Sequence, residues 1–176
     1  GNTSMKVDGT MYIKASGTWL MDAESRDIFT CVSHDRIKSN LAGGLADPLE
    51  NCGLGSSPLR PSVETSLHAL MPHKFVLHVH PVELLCLLVL PEAKDVLSDT
   101  ISDLNWVWID YSRPGVDLAQ SVSKALLCQN ADVLVLGNHG LVVGGEDGEQ
   151  TMNLIYDILT RVKMKSRNFN PPSDQL

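Results

Sequence analysis

Two neighbouring stretches decide how the chain folds: Pro61-Ser62-Val63-Glu64-Thr65-Ser66-Leu67-His68-Ala69-Leu70-Met71-Pro72, and then Phe75-Val76-Leu77-His78-Val79-His80-Pro81. In the first, Pro61-Ser62 has the composition of a helix start, Val63, Leu67 and Leu70 recur at helical spacing, and Pro72 stops the pattern. In the second, β-forming residues run up to Pro81, which predicts a strand. Working outward, the interleaving continues. The apolar run 82–90 fits helix or strand by periodicity, and a helix is favoured. Trp106-Val107-Trp108-Ile109 reads as a strand, 117–129 as a helix, and Val133-Leu134-Val135-Leu136 and Leu141-Val142-Val143 as buried strands. From Gly148 to about Lys165 a closing helix carries Met152, Ile155, Ile158, Leu159 and Val162 on one side. Upstream, the first forty residues read as short strands and turns, with Met11-Tyr12-Ile13-Lys14 as a strand and Ser16-Gly17 as a tight turn, and 42–61 reads as a long surface loop rich in Gly, Pro, Asn and Ser. Strands alternating with helices predict an α/β or α+β arrangement in which helices cover a sheet.

Charge narrows the function. With 14 Lys+Arg against 21 Asp+Glu the chain carries a formal charge of −7, and its cations form no run longer than two, so a general grip on phosphodiesters is excluded. At 176 residues and 43% hydrophobic content, one domain with a full-sized core is expected. The longest apolar run, Leu84-Leu85-Cys86-Leu87-Leu88-Val89-Leu90, is too short to span a bilayer. The opening Gly1-Asn2-Thr3-Ser4 has no signal-peptide character, and Cys31, Cys52, Cys86 and Cys128 are too scattered for a disulfide framework or a CxxC site. A reducing cytoplasm is the expected setting, with Cys86 and Cys128 as core thiols.

The residues able to do chemistry cluster around the opening stretches. An H-x-H on a strand presents His78 and His80 on one face, and a third histidine from elsewhere would complete a three-nitrogen site of the catalytic zinc type. His139 sits in Leu136-Gly137-Asn138-His139-Gly140, where flanking glycines allow close approach. Against this stand packing or surface histidines in the H-x-H and an ordinary hairpin turn around His139. Glu64 and His68, four apart, share a helical face. Glu64 is either near the H-x-H strand or a solvent-facing acid in a helix's first turn, where the macrodipole favours it. His68 either orients a carboxylate or packs, and His73, after Pro72, is expected to be exposed. Ser33-His34-Asp35 has the residue types of a hydrolase triad, but consecutive residues cannot converge as a triad does. Trp106 and Trp108 are read as core or interface.

The set Gly1-Asn2-Thr3-Ser4, Lys14-Ala15-Ser16-Gly17, Pro61-Ser62-Val63-Glu64 with His68, His78-Val79-His80-Pro81 and Asn138-His139-Gly140-Leu141 resembles the class II aldolase/adducin family, in the family's order. The resemblance implies a single α/β domain over residues 1–176: three layers, α/β/α, with a central, largely antiparallel sheet. It implies a divalent metal, zinc by expectation, held by His78, His80 and His139, with Glu64 as the acid/base group. Asn2, Ser16, Gly17 and Ser62 match loops that hold a substrate phosphate, and small-residue loops bind anions through N–H groups and hydroxyls. The activity so implied is aldol cleavage or condensation of a small phosphorylated ketose through an enediolate, whose charge a cation stabilises while a carboxylate moves the proton. Epimerisation or dehydration on the same site, or a non-catalytic adducin-like interaction domain, are the alternatives. A binding module has no reason to keep the histidines and the glutamate together. A homotetramer is implied as well.

The sequence departs from the family in three places. Val63 stands where fuculose-phosphate aldolase-like sequences carry a second serine, which removes a hydroxyl from the phosphate cradle. No tyrosine matches the family's catalytic tyrosine, since Tyr111 lies in a different region. The third is that the sequence opens at Gly1-Asn2, where the family usually has a helix ahead of the Gly-Asn loop. The Gly1-to-Gly17 wording and Arg60-Pro61-Ser62 also resemble the aldolase portion of bacterial aldolase–dehydrogenase fusion proteins.

Overall fold

A computed structural model describes residues 1–162. Its centre is an eight-stranded sheet: β1 (Asn2–Val7), β2 (Thr10–Lys14), β3 (Phe29–Ser33), β4 (Gly53–Leu54), β5 (Phe75–Val79), β6 (Trp106–Ile109), β7 (Val133–Leu136) and β8 (Gly140–Gly145). They lie in the order β4-β3-β2-β1-β5-β8-β7-β6. Every pairing is antiparallel except β6 with β7.

Helices cover both faces, as the alternation within β7 requires. Val133 and Val135 pack with α3 (Val82–Leu88), α4 (Ala93–Thr100) and α6 (Gly148–Arg161) through Leu84, Leu88, Leu97, Ile155 and Ile158. Leu134 and Leu136 point the other way, into α2 (Thr65–Leu70) and α5 (Val116–Cys128) through Leu67, Leu118 and Val122. On that second face α1 (His34–Ala42) extends the layer over β2 and β3, with Ile37 against Met11, Ile13 and Val32. The result is the three-layer α/β/α arrangement that period-2 strands buried on both sides demand. Among the described residues no helix is long and apolar enough to cross a membrane.

Several elements fall where the pattern puts them: β6 and β7 match residue for residue, the 82–90 run is helical over Val82–Leu88, and the 42–61 segment is a loop apart from Ala42, which closes α1, and the two residues of β4. The closing helix is described to Arg161, and residues 163–165 lie outside the described range. Other expectations need correction. The first forty residues include a helix, α1, which Ser33 caps by accepting from Arg36 N at 3.3 Å. Cys86 and Cys128 are exposed, and the buried thiol is Cys52. On α3 the core positions go to Leu84, Leu87 and Leu88, so Cys86 faces out. Val63 does not join the apolar face of α2: it precedes the helix and is 62% exposed. His73 is largely covered rather than exposed, with Nε2 2.8 Å from Asp132 Oδ1. Its ring lies against Gly144 of β8, where a Cβ would collide with the imidazole.

That contact is testable. Gly144→Ala should lower stability by about 1–3 kcal/mol, the usual cost of overpacking, and His73→Ala in the same chain should relieve part of it, as read by urea denaturation. A Gly144→Ala protein as stable as the parent would contradict the close approach.

Candidate metal and proton-transfer site

The site forms at one end of the sheet because the strands that reach it run alternately up and down. Asn2 opens β1 and pairs with His78 near the close of β5, and His78 pairs in turn with Val142 near the opening of β8. Strand β5 ends at Val79 and Pro81 precedes α3, so His80 stands just past the strand on the exposed rim while His78 is fully buried. His139 comes from the turn joining β7 to β8, where Leu136 pairs with Gly140. Asn138 takes the left-handed conformation there at φ 52°, which Asn tolerates better than most residues. The indole of Trp108 fills the space beside Gly137 and donates to Asp110 Oδ1 at 2.8 Å, so a residue read as core also props the turn carrying His139. Gly140 admits no side chain: a Cβ would lie 2.6 Å from Val79 O and 2.7 Å from the His80 ring.

These placements bring one ring nitrogen from each histidine within 4.8 Å of the others. His78 Nε2 and His80 Nε2 are 2.7 Å apart. Two imidazole lone pairs at that separation repel unless one ring carries a proton or both face a shared cation. Glu64 joins them. Its Oε1 lies 3.4 Å from His78 Nε2 and 3.3 Å from His139 Nε2, and its side chain is only 12% exposed. Of the two sequence readings for Glu64, the structure takes the first: the residue is the N-cap of α2, turned inward to the histidines. A nitrogen-rich set with one carboxylate is the donor chemistry of a borderline divalent ion such as zinc.

Burial and neighbouring groups shift the ionisation of three members of the cluster. Burial disfavours charge on His78 and pushes its pKa down to about 3, against the pull of Glu64. Burial lowers His80 as well. For Glu64 burial pushes upward, but the hydrogen bond with His139 and the neighbouring imidazoles outweigh it, and the carboxyl ends well below the usual carboxylate range. At neutral pH His78 and His80 are therefore uncharged while Glu64 is ionised.

The residues expected to hold an anion are only partly assembled. Ser16 and Gly17 form an exposed turn, with Gly17 at φ +74°. The turn abuts the segment before Glu64, since Ala15 bridges Pro61 and Ser16 N donates to Arg60 O at 2.9 Å. Ser62 is buried; its Oγ accepts from Glu64 N at 3.3 Å. It precedes the helix start by three residues because Ser62 to Thr65 first close a turn, with Thr65 N on Ser62 O at 3.1 Å. Asn2 is buried on β1 with Oδ1 accepting from Thr3 N at 2.9 Å. Lys14, which sequence reasoning passed over, is buried, and its Nζ ties the same turn by donating to Ala15 O at 3.0 Å and Thr18 O at 2.9 Å.

A family profile described as the class II aldolase and adducin N-terminal domain matches residues 1–165. The chain belongs to this family. Among the solved structures, the class II aldolase fold recurs in the N-terminal class II aldolase domain of a conserved protein from Thermoplasma acidophilum. That match has a TM-score of 0.76 and 27% identity, covering 92% of this chain and 81% of that one. It recurs again in an L-fuculose 1-phosphate aldolase, with TM-score 0.64, 16% identity, and 92% and 72% coverage. A curated relative, the uncharacterized oxidoreductase YuxG of Bacillus subtilis (strain 168), is 29% identical over 167 residues, which is 85% of this chain and 24% of that protein. The chain thus spans about a quarter of the length of that relative.

Two outcomes are expected from this geometry. Gly140→Ala should displace His80 and lower divalent-metal retention, read by elemental analysis after dialysis; stoichiometric metal in that variant would contradict the crowding. The second concerns pH and His68. This fully buried side chain on α2 is held down to about pH 3 by burial. Its depressed folded pKa contributes stability that is present above the unfolded value of about 6.5 and is lost as pH falls toward 3. The fall in melting temperature between pH 6.5 and 4 should therefore be shallower in His68→Asn than in the parent, and an unchanged slope would contradict it.

Proposed function

We propose that this domain is a metal-dependent lyase that cleaves a small phosphorylated ketose to dihydroxyacetone phosphate and an aldehyde, or joins them in reverse. The observation that carries this is the convergence of three imidazoles with the ionised Glu64 carboxylate. His78, His80 and His139 would hold one divalent cation, zinc by the donor set, through their Nε2 atoms. When bound, the cation supplies the positive charge that stabilises an enediolate.

Glu64 moves the proton. In the condensing direction its carboxylate takes a proton from the hydroxymethyl carbon beside the carbonyl, and that C–H electron pair passes into the enediolate. The enediolate carbon then attacks the aldehyde, and the aldehyde oxygen takes the proton that Glu64 holds to become a hydroxyl. In cleavage the Glu64 carboxylate takes the hydroxyl proton, the carbon–carbon bond breaks to aldehyde and enediolate, and Glu64 passes that proton to the enediolate carbon. A carboxyl held well below the usual range stays ionised at neutral pH, as a base must. Ser16, Gly17, Ser62 and Asn2, gathered at the same end of the sheet, would take the phosphate. Ser62 keeps its O–H free to donate, and Val63 contributes no hydroxyl. A homotetramer in the cytoplasm accompanies this reading through the family resemblance.

Two experiments test it. Incubated with zinc and dihydroxyacetone phosphate in D2O, the protein should exchange a hydroxymethyl C–H for C–D without any aldehyde present. Glu64→Gln should retain metal and slow that exchange by about two to four orders of magnitude. Parent-level exchange in Glu64→Gln, or loss of metal together with activity, would remove Glu64 from the proton-transfer role. In the second experiment His139→Ala should lose the metal, since a three-ligand site has none to spare; stoichiometric retention would refute the ligand set.

A further inference from the structure

The inner face of β1 is polar where a buried strand would ordinarily be apolar. Asn2, Ser4 and Lys6 alternate along it, and Asn2 and Ser4 are buried. Ser4 sits opposite Val76, and Asn2 opposite His78. Each of the two residues further along the strand fastens α2 or the turn that follows it. Lys6 Nζ donates to Met71 O and His73 O, both at 2.8 Å, on either side of Pro72. Ser4 Oγ lies 2.8 Å from His68 Nδ1. His68 is completely buried, and its other ring nitrogen, Nε2, has no partner. A buried imidazole with one unpaired nitrogen is costly, and its bond to Ser4 gives it a positional role that offsets that cost.

The helix defines that role. His68 N donates to Glu64 O at 3.1 Å, so His68 stands one turn from the residue whose carboxylate meets the histidines. Thr65 to Ala69 are all buried, but α2 is only six residues long. A short helix has little of its own to fix its rotation about its axis. A directional hydrogen bond to the strand beside β5 fixes that rotation, whereas apolar contact leaves it free to slide.

We propose that Ser4 and His68 form a positioning pair for Glu64: Ser4 on β1 holds His68 Nδ1, which fixes the rotation of α2 and so the reach of the Glu64 carboxylate to His78 and His139. The pair touches neither substrate nor metal. It rests on the proton-transfer reading of Glu64 for its effect on rate, but its effect on geometry does not.

The test is hydrogen–deuterium exchange into dihydroxyacetone phosphate by the zinc-loaded protein, measured for Ser4→Ala, Ser4→Thr, Glu64→Gln and the double variant Ser4→Ala/Glu64→Gln. Each variant's melting temperature is taken, and crystal structures of the parent and Ser4→Ala are compared. Ser4→Ala should lose about 10- to 100-fold in kcat at nearly constant KM and metal content, the scale of a misplaced catalytic group. Ser4→Thr, which restores the hydroxyl, should recover most of it. Ser4→Ala should cost nothing further once Glu64 is already Gln, because a pair acting only through that carboxylate cannot act twice. In the crystal, Glu64 Oε1 should leave its 3.3 and 3.4 Å positions. A parent-level kcat with Glu64 unmoved, or the same loss in the Glu64→Gln background, overturns the proposal. A parent without exchange, or a fully active Glu64→Gln, refutes the proton-transfer reading instead, and the crystal comparison then decides the positioning claim by itself.

Discussion

The site depends on one carboxylate held among three imidazoles away from bulk water. Glu64 is ionised, nearly covered and within 3.4 Å of two ring nitrogens. An ionised group in that setting is costly unless charge or hydrogen bonds answer it. Each neighbouring element contributes to meeting that condition. The register of β1, β5 and β8 brings His78 to the end of the sheet, the β7–β8 turn brings His139 beside it, and Pro81 turns the chain into α3 just after His80. Helix α2 supplies Glu64 from its N-terminal end, where the backbone N–H groups favour negative charge.

Much of this was legible because the decisive residues carry strong local signals. Strand β7 is buried on both faces, so Val133-Leu134-Val135-Leu136 reads as a strand from composition alone. Pro72 and Pro81 punctuate α2 and β5. The H-x-H and the glycine-flanked His139 were candidates on spacing, and the structure brings them together with Glu64. What failed to show were elements with little apolar periodicity. In α1 only Ile37 is buried, and in α4 only Ala93 and Leu97, so neither presents the stripe that marks a helix. Ser33 did carry a cap signature for α1, though it stood in a stretch dominated by strand and turn residues.

The polar anchors were the least legible. Lys6 and Lys14 direct their ammonium groups to backbone carbonyls, and Ser4 meets His68 across a strand–helix interface. Such partners lie 64 or 65 residues apart or on main-chain atoms, and a pattern of side-chain types contains neither. The cover of His73 is hidden from the sequence for the same reason: it comes from the bare Cα of Gly144 and from Asp132, 59 residues away. Val63, exposed beside the buried Ser62, is where the chain parts from the fuculose-phosphate pattern, and its place on the surface leaves the histidine cluster and Glu64 untouched.

The central claim is that His78, His80 and His139 hold one divalent cation that faces Glu64. Diffraction from zinc-loaded crystals at energies on either side of the zinc absorption edge measures this directly. A single anomalous peak about 2.0–2.1 Å from the Nε2 atoms of all three histidines is expected, the ordinary zinc–imidazole distance. An ion bound elsewhere, with no peak among those nitrogens, would contradict it.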